Sequence, residues 1–339
     1  CTVCEEVGME GATGIDVSML KGKKLLNMDS EEEGVMLASC AGGCRADVKL
    51  PVERETVSGT KLTVSLSGLT GGHSGSEIDK GRGNANALMS RLLRDASAPV
   101  AIASIDGGRK DNAIPRECTA QIIVAPDKAA AVKAAIEQAA DEIAEEFKAS
   151  DPDLKLTLSE ETDCSEPAIS AKDSARVIAL IEALPNGIIR MSREIDKLVE
   201  TSLNLGVLKS DDTAVTLRYA VRSSVGVAKK SLKNQLVCIA EAFAAEVTFE
   251  GDYPAWEYKK DSKLREDMVR IFEEMYGKKP TVEAIHAGVE CGLLSGKIEG
   301  LDCISMGPDM YDIHTTEERL SISSAKRSYE YILRVIACK

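Results

Sequence analysis

The sequence predicts an α/β body that is interrupted by a long inserted α+β domain. Residues 51–247 contain two rounds of strand and helix, and period-two alternation across about 47–69 is typical of strands in an antiparallel sheet. Residues 248–339 instead alternate helices with short buried strands, the pattern of a parallel sheet. We therefore predict a body formed by residues 1–50 and 248–339, with residues 51–247 inserted as a separate domain.

The first part of the chain supplies strands and one helix to this plan. "KLLNMDS" at 23–29 predicts a short buried strand, and "CAGGC" at 40–44 predicts a glycine-rich turn. Alternating Thr and Val across 47–69 predict half-buried strands of an antiparallel sheet. "RGNANALMSRLLR" at 82–94 has helical spacing, and "CTAQIIVAP" at 118–126 predicts another strand.

A long amphipathic helix follows, with Asp127 as its predicted N-cap. The second round then consists of a helix, a strand pair with a turn at Asp211–Asp212, and the helix of "KKSLKNQLVCIAEAFAAE". Beyond residue 247, "KLREDMVRIFEEMYG" and "SAKRSYEYILRVIAC" predict helices, while "PTVEAIH" and "LDCISMG" predict strands.

Composition and charge exclude two classes of partner. The 339 residues carry a net charge of −13, which repels nucleic acid and anionic membrane surfaces. No apolar run approaches the roughly 18 residues that a membrane span requires. We therefore predict no nucleic-acid partner and no membrane partner.

The ten cysteines mostly lie in apolar strand or helix contexts such as "LDCISM". This usage is typical of reduced, buried thiols in a cytoplasmic protein rather than of a disulfide framework. An alternative is a structural zinc site formed by Cys1, Cys4, Cys40 and Cys44, whose spacings suit zinc.

The three histidines lie in loops or at strand ends rather than on the apolar face of a helix. His73 follows a strand in "GLTGGHSGSEI", His286 ends a strand in "EAIHAGVECG", and His314 lies in the polar loop "GPDMYDIHTTEE". Loops at strand ends are where α/β proteins usually place their sites. This position favours a functional role for His73 and His314 and leaves His286 open between a structural and a functional role.

Carboxylates occur near the same predicted strand ends. Glu5 and Glu6 are adjacent after an apparent strand, and Asp29 follows the next strand. Carboxylate and imidazole ligands at strand ends suit zinc or manganese, and a second carboxylate can deprotonate a water whose pKa the metal has lowered.

Several motifs together resemble a known family. "EEVGMEGA", "NMDSEEEG", "GLTGGHSGSEI", "DNAIPREC", "GDYPAW", "HAGVECGL" and "MGPDMYDIHTTEER" are similar to motifs of the aminoacyl-histidine dipeptidases, cytosolic dipeptidases of the M20 metallopeptidase family. The similarity runs over essentially the whole chain, in family order. It implies a phosphorylase/hydrolase-like zinc-peptidase catalytic domain with an inserted α+β lid and dimerisation domain.

The resemblance implies roles for four residues of the metal centre. Glu5 resembles the general base that activates water, Glu6 matches a ligand of one metal, Asp29 matches a ligand of the other, and His314 matches the C-terminal metal ligand. The implied cofactor is Zn²⁺ in a dinuclear site, with Mn²⁺ or Co²⁺ as alternatives.

The resemblance also implies substrate-binding residues. His73 matches a lid histidine that reaches across a dimer and stabilises the oxyanion. Asn112 and Arg222 resemble lid residues that contact the substrate carboxylate, and Glu290 is expected to bind the free amine. The implied partners are a small dipeptide substrate of the Xaa-His type and a second copy of the chain, joined through the lid.

One family feature has no match in this sequence. The family carries an upstream His-x-Asp pair and a bridging Asp, whereas none of the three histidines here is followed two residues later by Asp. We therefore expect an incomplete catalytic domain that lacks its N-terminal strands and holds only part of the dinuclear site. The alternatives are a related M20 aminoacylase or carboxypeptidase, and a non-catalytic dimeric relic of the family.

Overall fold

The computed structural model describes residues 9–313 and 315–338, which form a body and a lid. Its eight α-helices within this part of the chain are α1 (Glu10–Gly14), α2 (Ala85–Arg94), α3 (Ala129–Phe147), α4 (Ala171–Ala183), α5 (Gly226–Ala242), α6 (Lys263–Tyr276), α7 (Glu290–Lys297) and α8 (Ile322–Ile336). None of these helices combines the length and the apolar character that a membrane span requires.

A four-stranded sheet forms the centre of the body. Its strands, in spatial order, are β1 (Lys24–Asn27), β15 (Asp302–Ser305), β2 (Val35–Cys40) and β14 (Thr281–Ile285). β1 pairs with β15 in parallel, as does β2 with β14, but β15 and β2 are antiparallel at the single pair Ser305 and Leu37. The prediction of a parallel sheet is therefore correct for two of the three pairings.

Alternation along the strands builds two layers around this sheet. Ile304 packs with Met268, Phe272 and Tyr331 of α6 and α8, whereas its neighbour Cys303 packs with Cys291 and Trp256 on the other side. Successive side chains of a strand point to opposite faces, so one short strand contributes to both layers.

A nine-stranded sheet forms the lid. Its strands are β3 (Gly42–Pro51), β4 (Arg54–Ser67), β6 (Ala101–Gly107), β8 (Cys118–Val124), β9 (Lys155–Ile169), β10 (Gly187–Met191), β11 (Val199–Ser210), β12 (Ala214–Ser223) and β13 (Glu246–Tyr253). The spatial order is β13-β3-β12-β11-β6-β8-β4-β9, with β10 also paired to β11. Helices α2 to α5 contribute to the large apolar core of this sheet. The predicted α+β insertion with antiparallel strands and two rounds of strand and helix is confirmed.

Two short ribbons complete the strands described. β5 (Gly72–His73) pairs with β7 (Ala113–Ile114), and β16 (Met310–Tyr311) pairs with β17 (Arg319–Leu320). The first ribbon lies within the lid segment of the chain. The predicted domain boundaries after residues 50 and 247 stay a prediction; the lid sheet itself extends from Gly42 to Tyr253.

The chain passes between body and lid at two points that lie side by side. β2 ends at Cys40 and β3 begins at Gly42, and the return passes through Pro254 after β13. Cys40 and Trp256 exchange both backbone hydrogen bonds, at 3.0 and 3.1 Å. This pairing fixes the start of the lid against its end.

Two local predictions are wrong. "CAGGC" is not a turn, because its residues continue from β2 into β3 with only Ala41 between the strands. A Cβ at Gly42 would lie 2.4 Å from the backbone nitrogen of Ala255, so this glycine permits a close backbone approach instead of a turn. Asp127 does not cap α3, since Asp127 lies inside a 3₁₀ turn and the helix begins at Ala129 with Lys128 in the N-cap position.

The cysteines of the described chain are free thiols, and six of the eight are buried. Cys40 packs with Cys291 and Trp256 in the body, whereas Cys44 packs in the lid core. Burial raises the pKa of Cys44 to about 11, which keeps the thiol protonated. These features support the prediction of buried reduced thiols; Cys1 and Cys4 of the alternative zinc site lie outside the described residues.

Candidate active site

The body presents two acidic residues at one end of its sheet. Asp29 is exposed and follows β1, and Glu290 is the first residue of α7. Both side chains line a cavity of about 700 Å³. The last residue of β1 accounts for this proximity, because Asn27 lies two residues before Asp29 and its amide contacts the Glu290 carboxylate.

Asn27 connects Glu290 to the sheet. Its amide nitrogen lies 3.2 Å from Glu290 Oε2 and 3.2 Å from Ser305 Oγ. Ser305 Oγ in turn lies 2.9 Å from Ser30 Oγ. This chain of hydrogen bonds orients the Glu290 carboxylate next to the segment that carries Asp29.

His73 lies on the β5–β7 ribbon of the lid with its ring fixed by the backbone. The ring nitrogen Nδ1 accepts hydrogen bonds from the backbone N–H groups of Ser76 at 3.2 Å and Gly75 at 3.3 Å. A nitrogen that accepts two N–H groups carries no proton, so the ring proton of the neutral form is on Nε2.

The electrostatic surroundings keep His73 neutral. Burial lowers the pKa of His73, the positive charge of Arg222 lowers that pKa further, and Glu77 partly opposes both effects. The imidazole is therefore an uncharged hydrogen-bond donor through Nε2 at neutral pH.

Asn112 lies immediately before β7 of the same ribbon. Its backbone carbonyl accepts the N–H of Ser74 at 2.9 Å, while the side chain itself is exposed. The amide of Asn204 donates to the carbonyls on either side of it, those of Asp111 at 2.9 Å and Ala113 at 2.8 Å. The backbone around Asn112 is thus anchored while its side chain can meet a ligand.

Arg222 lies on the face of the lid sheet opposite the helical core. Along β12 the residues Leu217, Tyr219 and Val221 are buried in that core, and strand alternation places Arg222 on the other face. Nη1 of Arg222 lies 3.4 Å from the Tyr253 hydroxyl, and its Nε is buried without a hydrogen-bond partner. Among the described residues, Arg222 forms no ion pair with a carboxylate.

His286 is a buried contact between body and lid. Its Nε2 lies 2.7 Å from Ser202 Oγ of β11, and the residue is 5% exposed. Burial, followed by the charge of Arg222, lowers the pKa of His286 to about 3. This environment favours the structural interpretation that the sequence left open.

The structure thus brings the predicted residues together in two groups. His73, Asn112 and Arg222 belong to the lid, whereas Asp29 and Glu290 belong to the body. The loop from His286 to Glu290 connects the groups, since a Cβ at Gly75 would lie 2.7 Å from the His286 carbonyl oxygen. Glu5, Glu6 and His314 lie outside the described residues.

Asp29 fits one ligand of a divalent cation, because it is an exposed carboxylate at a strand end. Within residues 9–313 and 315–338, no three His, Cys, Asp or Glu side chains are grouped closely enough to hold a metal ion. A metal centre would require donors outside the described residues, where the predicted ligands Glu6 and His314 lie.

Sequence reasoning missed three contributors to these groups. Asn27 positions Glu290, Ser202 holds His286, and Tyr253 contacts Arg222. Tyr253 belongs to the motif "GDYPAW", which is part of the family resemblance, but the neighbouring sequence does not indicate that its hydroxyl contacts a residue of β12.

Comparisons with known proteins agree with this architecture. Residues 64–151 match the family model of the peptidase dimerisation domain of the M20 family. The cytosol non-specific dipeptidase of Escherichia coli (strain K12) is 35% identical over 327 residues, which cover 95% of this chain and 67% of that relative.

A solved structure is similar over the same extent. The aminoacylhistidine dipeptidase of Vibrio alginolyticus superposes with a TM-score of 0.92 at 32% identity, covering 99% of this chain and 69% of that one. The resemblance identified in the sequence is confirmed: the chain belongs to the M20 metallopeptidase family, in the group that contains these two dipeptidases.

Proposed function

We propose that the protein hydrolyses dipeptides that have a free N-terminus, with a preference for histidine as the second residue. The observation that carries this proposal is a pairing of lid and body residues. On the lid are Arg222, which has no carboxylate partner among the described residues, and a neutral His73; on the body are the acidic residues Asp29 and Glu290. Similarity to an enzyme named as a non-specific dipeptidase and to one named as an aminoacylhistidine dipeptidase supports it.

The proposed cofactor is Zn²⁺ in a dinuclear site, with Mn²⁺ or Co²⁺ as alternatives. Glu6, Asp29 and His314 are the residues of this chain proposed to hold it. When bound, the metal supplies a Lewis acid next to the scissile carbonyl and lowers the pKa of water. Glu5 is proposed to take the proton from the attacking water and to deliver it to the leaving amine.

His73 is proposed to stabilise the negative charge that develops on the carbonyl oxygen. Its Nδ1 is engaged by backbone amides, so Nε2–H is the available donor. A donor whose orientation is fixed before the reaction needs no reorganisation in the transition state.

The two ends of the substrate are proposed to bind to different parts of the molecule. The guanidinium of Arg222 and the amide of Asn112 bind the C-terminal carboxylate, since both line a cavity of about 290 Å³. Glu290, oriented by Asn27, binds the free amine. Recognition of both ends selects short peptides.

A second copy of the chain is the proposed partner, joined through the lid. The match of residues 64–151 to the peptidase dimerisation domain supports this assembly. Within one chain His73 already lies close to Arg222 of the same lid and to the body loop at His286. A cytoplasmic location is proposed because the described thiols are free and the Escherichia coli relative is named as cytosolic.

The test is incubation of the zinc-loaded protein with a dipeptide ending in histidine, followed by chromatography of the free amino acids. We expect release of histidine from the free dipeptide and little release from the N-acetylated dipeptide. Cleavage of N-acetyl amino acids without cleavage of the dipeptide would contradict the proposal and indicate an aminoacylase.

A further inference from the structure

Three neighbouring lid strands place Arg222, Gly43 and Tyr253 in one row. Gly43 of β3 is directly opposite Arg222 of β12 on one side and directly opposite Tyr253 of β13 on the other. Residues directly opposite one another share a face of the sheet. All three positions therefore lie on the open face, away from the helical core.

The missing side chain at Gly43 allows Arg222 and Tyr253 to meet. β12 and β13, on either side of β3, are about 10 Å apart. Most side chains at directly opposite positions on two such strands are too short to touch. A Cβ at Gly43 would lie 2.6 Å from the Tyr253 hydroxyl oxygen, so the phenol occupies the space above this glycine. Any larger residue at position 43 would displace the hydroxyl.

A second glycine and a lysine fix the tyrosine from the other sides. A Cβ at Gly288, in the body loop before Glu290, would lie 2.9 Å from Tyr253 Cε2. Lys229 donates hydrogen bonds to the Tyr253 carbonyl and, at 2.6 Å, to Asp252 Oδ1. The ring therefore lies between Gly43 of the lid and Gly288 of the body, while Lys229 anchors the backbone of Tyr253.

The hydrogen-bond capacities of the pair leave donors without acceptors. Arg222 has only donors, and the Tyr253 oxygen accepts one of them. The Tyr253 hydroxyl can then donate its own proton to a further acceptor. Burial raises the pKa of Tyr253 although Arg222 opposes this shift, so the hydroxyl keeps its proton at neutral pH.

These donors converge on one cavity. Asn112, Arg222 and Tyr253 all line the cavity of about 290 Å³ on the open face of the sheet. The acidic residues at its rim already have a cation, because Asp111 and Glu250 lie 2.9 and 3.7 Å from nitrogens of Arg45. Among the described residues no carboxylate pairs with the Arg222 guanidinium, so it is available to an external anion in this cavity.

We propose that Tyr253 is a carboxylate-binding residue, which donates its hydroxyl proton to one oxygen of the substrate carboxylate while it orients the guanidinium of Arg222. This inference rests on the proposed function, in which Arg222 binds that carboxylate. Arg222 and Tyr253 together would then distinguish a carboxylate from a carboxamide. A carboxamide offers only one oxygen to these two donors, and its NH₂ group is itself a donor.

The test is calorimetric titration of the metal-loaded protein with a dipeptide whose peptide carbonyl is replaced by methylene, and with the C-terminal carboxamide of that compound. Neither ligand can be hydrolysed at this position, so binding is measured without turnover. The variants are Tyr253→Phe, Gly43→Ala and the control Tyr258→Phe, whose phenol lies outside this cavity.

We expect the unaltered protein to bind the carboxylate ligand at least about tenfold more tightly than the carboxamide, the scale of a hydrogen bond to a charged group. Tyr253→Phe should weaken carboxylate binding about tenfold and leave carboxamide binding unchanged. Gly43→Ala should produce the same selective loss without any change at the tyrosine, and Tyr258→Phe should match the unaltered protein.

Two results would contradict different parts of the account. Equal affinity of the unaltered protein for both ligands, or no binding of either, would overturn the proposed role of Arg222 and with it this inference. Clear discrimination that persists in both Tyr253→Phe and Gly43→Ala would overturn the inference alone, as would an equal loss of affinity for both ligands.

Discussion

The lid and the body hold their candidate residues in different ways. In the lid, backbone N–H groups fix the His73 ring, the amide of Asn204 anchors the backbone around Asn112, and Arg222 lies on a strand of the nine-stranded sheet. In the body, Asp29 is exposed at a strand end and lines a wide cavity, and one amide contact orients Glu290. This difference supports the proposal that the lid holds a preformed site for substrate recognition, whereas the proposed metal chemistry of the body requires donors outside the described residues.

The largest expected effect concerns the chemistry of the body. Glu5→Gln should abolish turnover, because an amide cannot take the proton from water, while metal content stays close to that of the unaltered protein. Metal content measured by elemental mass spectrometry, together with dipeptide turnover, tests this separation. Equal loss of metal and activity would make Glu5 a ligand and contradict its assignment as the base.

The lid should contribute a smaller but substantial effect on the chemical step. His73→Ala should lower kcat by about 10²-fold, the scale of one oxyanion donor, with little change in KM. Steady-state kinetics on a dipeptide measure both constants. Ser76→Ala, which removes a side-chain contact to His73 Nδ1 but leaves both backbone donors, is the matched control. An unchanged kcat in His73→Ala would place this residue outside the site.

The contact between body and lid should be sensitive to acid. The pKa of His286 is lowered by burial from 6.5 to about 3, so the unfolded chain binds the proton more tightly than the folded one. The contribution of His286 to the free energy of unfolding is therefore fully present above its unfolded-state pKa of 6.5. It falls below that pH by about 1.4 kcal/mol per pH unit, which amounts to roughly 2 kcal/mol at about pH 5.

Urea unfolding at neutral pH and at about pH 5 measures this loss, and His286→Gln should remove the part that this residue causes. Glutamine keeps a hydrogen-bonding side chain near Ser202 but does not titrate in this range. An identical pH dependence in both proteins would show that His286 is not the responsible group.

The smallest expected effect belongs to the body's part in substrate binding. Glu290→Gln should raise KM about tenfold for a dipeptide with a free amine, since the charge–charge interaction is lost while the contact to Asn27 can persist. Kinetics on the free and the N-methylated dipeptide separate the effect of the amine's charge on KM from the effect of its size, because the N-methylated amine is larger but still positively charged. An unchanged KM in Glu290→Gln would contradict the assignment of Glu290 as the residue that binds the substrate amine.

The sequence predicted the fold where local pattern decides the structure. Period-two alternation predicted the strands over 47–69, the sequence also predicted β8, β11 and β12, and helical spacing predicted α2, α3 and α5, whereas β6, β9, β10 and β13 of the lid were not predicted. It failed at "CAGGC", where glycine serves close packing inside strands rather than a turn. The second glycine of this motif, Gly43, explains the contact between Arg222 and Tyr253, which depends on strand register and cannot be inferred from neighbouring residues.

The candidate site was predicted mainly through family resemblance, because its residues are far apart in the sequence. Asn112 and Arg222 are brought to one cavity by the β5–β7 ribbon and by β12. The structural role of His286 depends on Ser202 of the lid, which no local pattern indicates. The roles of Glu5, Glu6 and His314 stay predictions.

The lid is proposed to hold a preformed site for the substrate carboxylate. The most direct measurement is kcat/KM for a dipeptide and for its C-terminal amide in the unaltered protein, in Arg222→Met and in Arg218→Met. Arg218 is on the same strand and the same face, but it is paired with Asp47 at 2.7 Å.

We predict that the unaltered protein and Arg218→Met prefer the free carboxylate by about 10²-fold or more, and that Arg222→Met loses this preference. A preference that persists in Arg222→Met would contradict the claim.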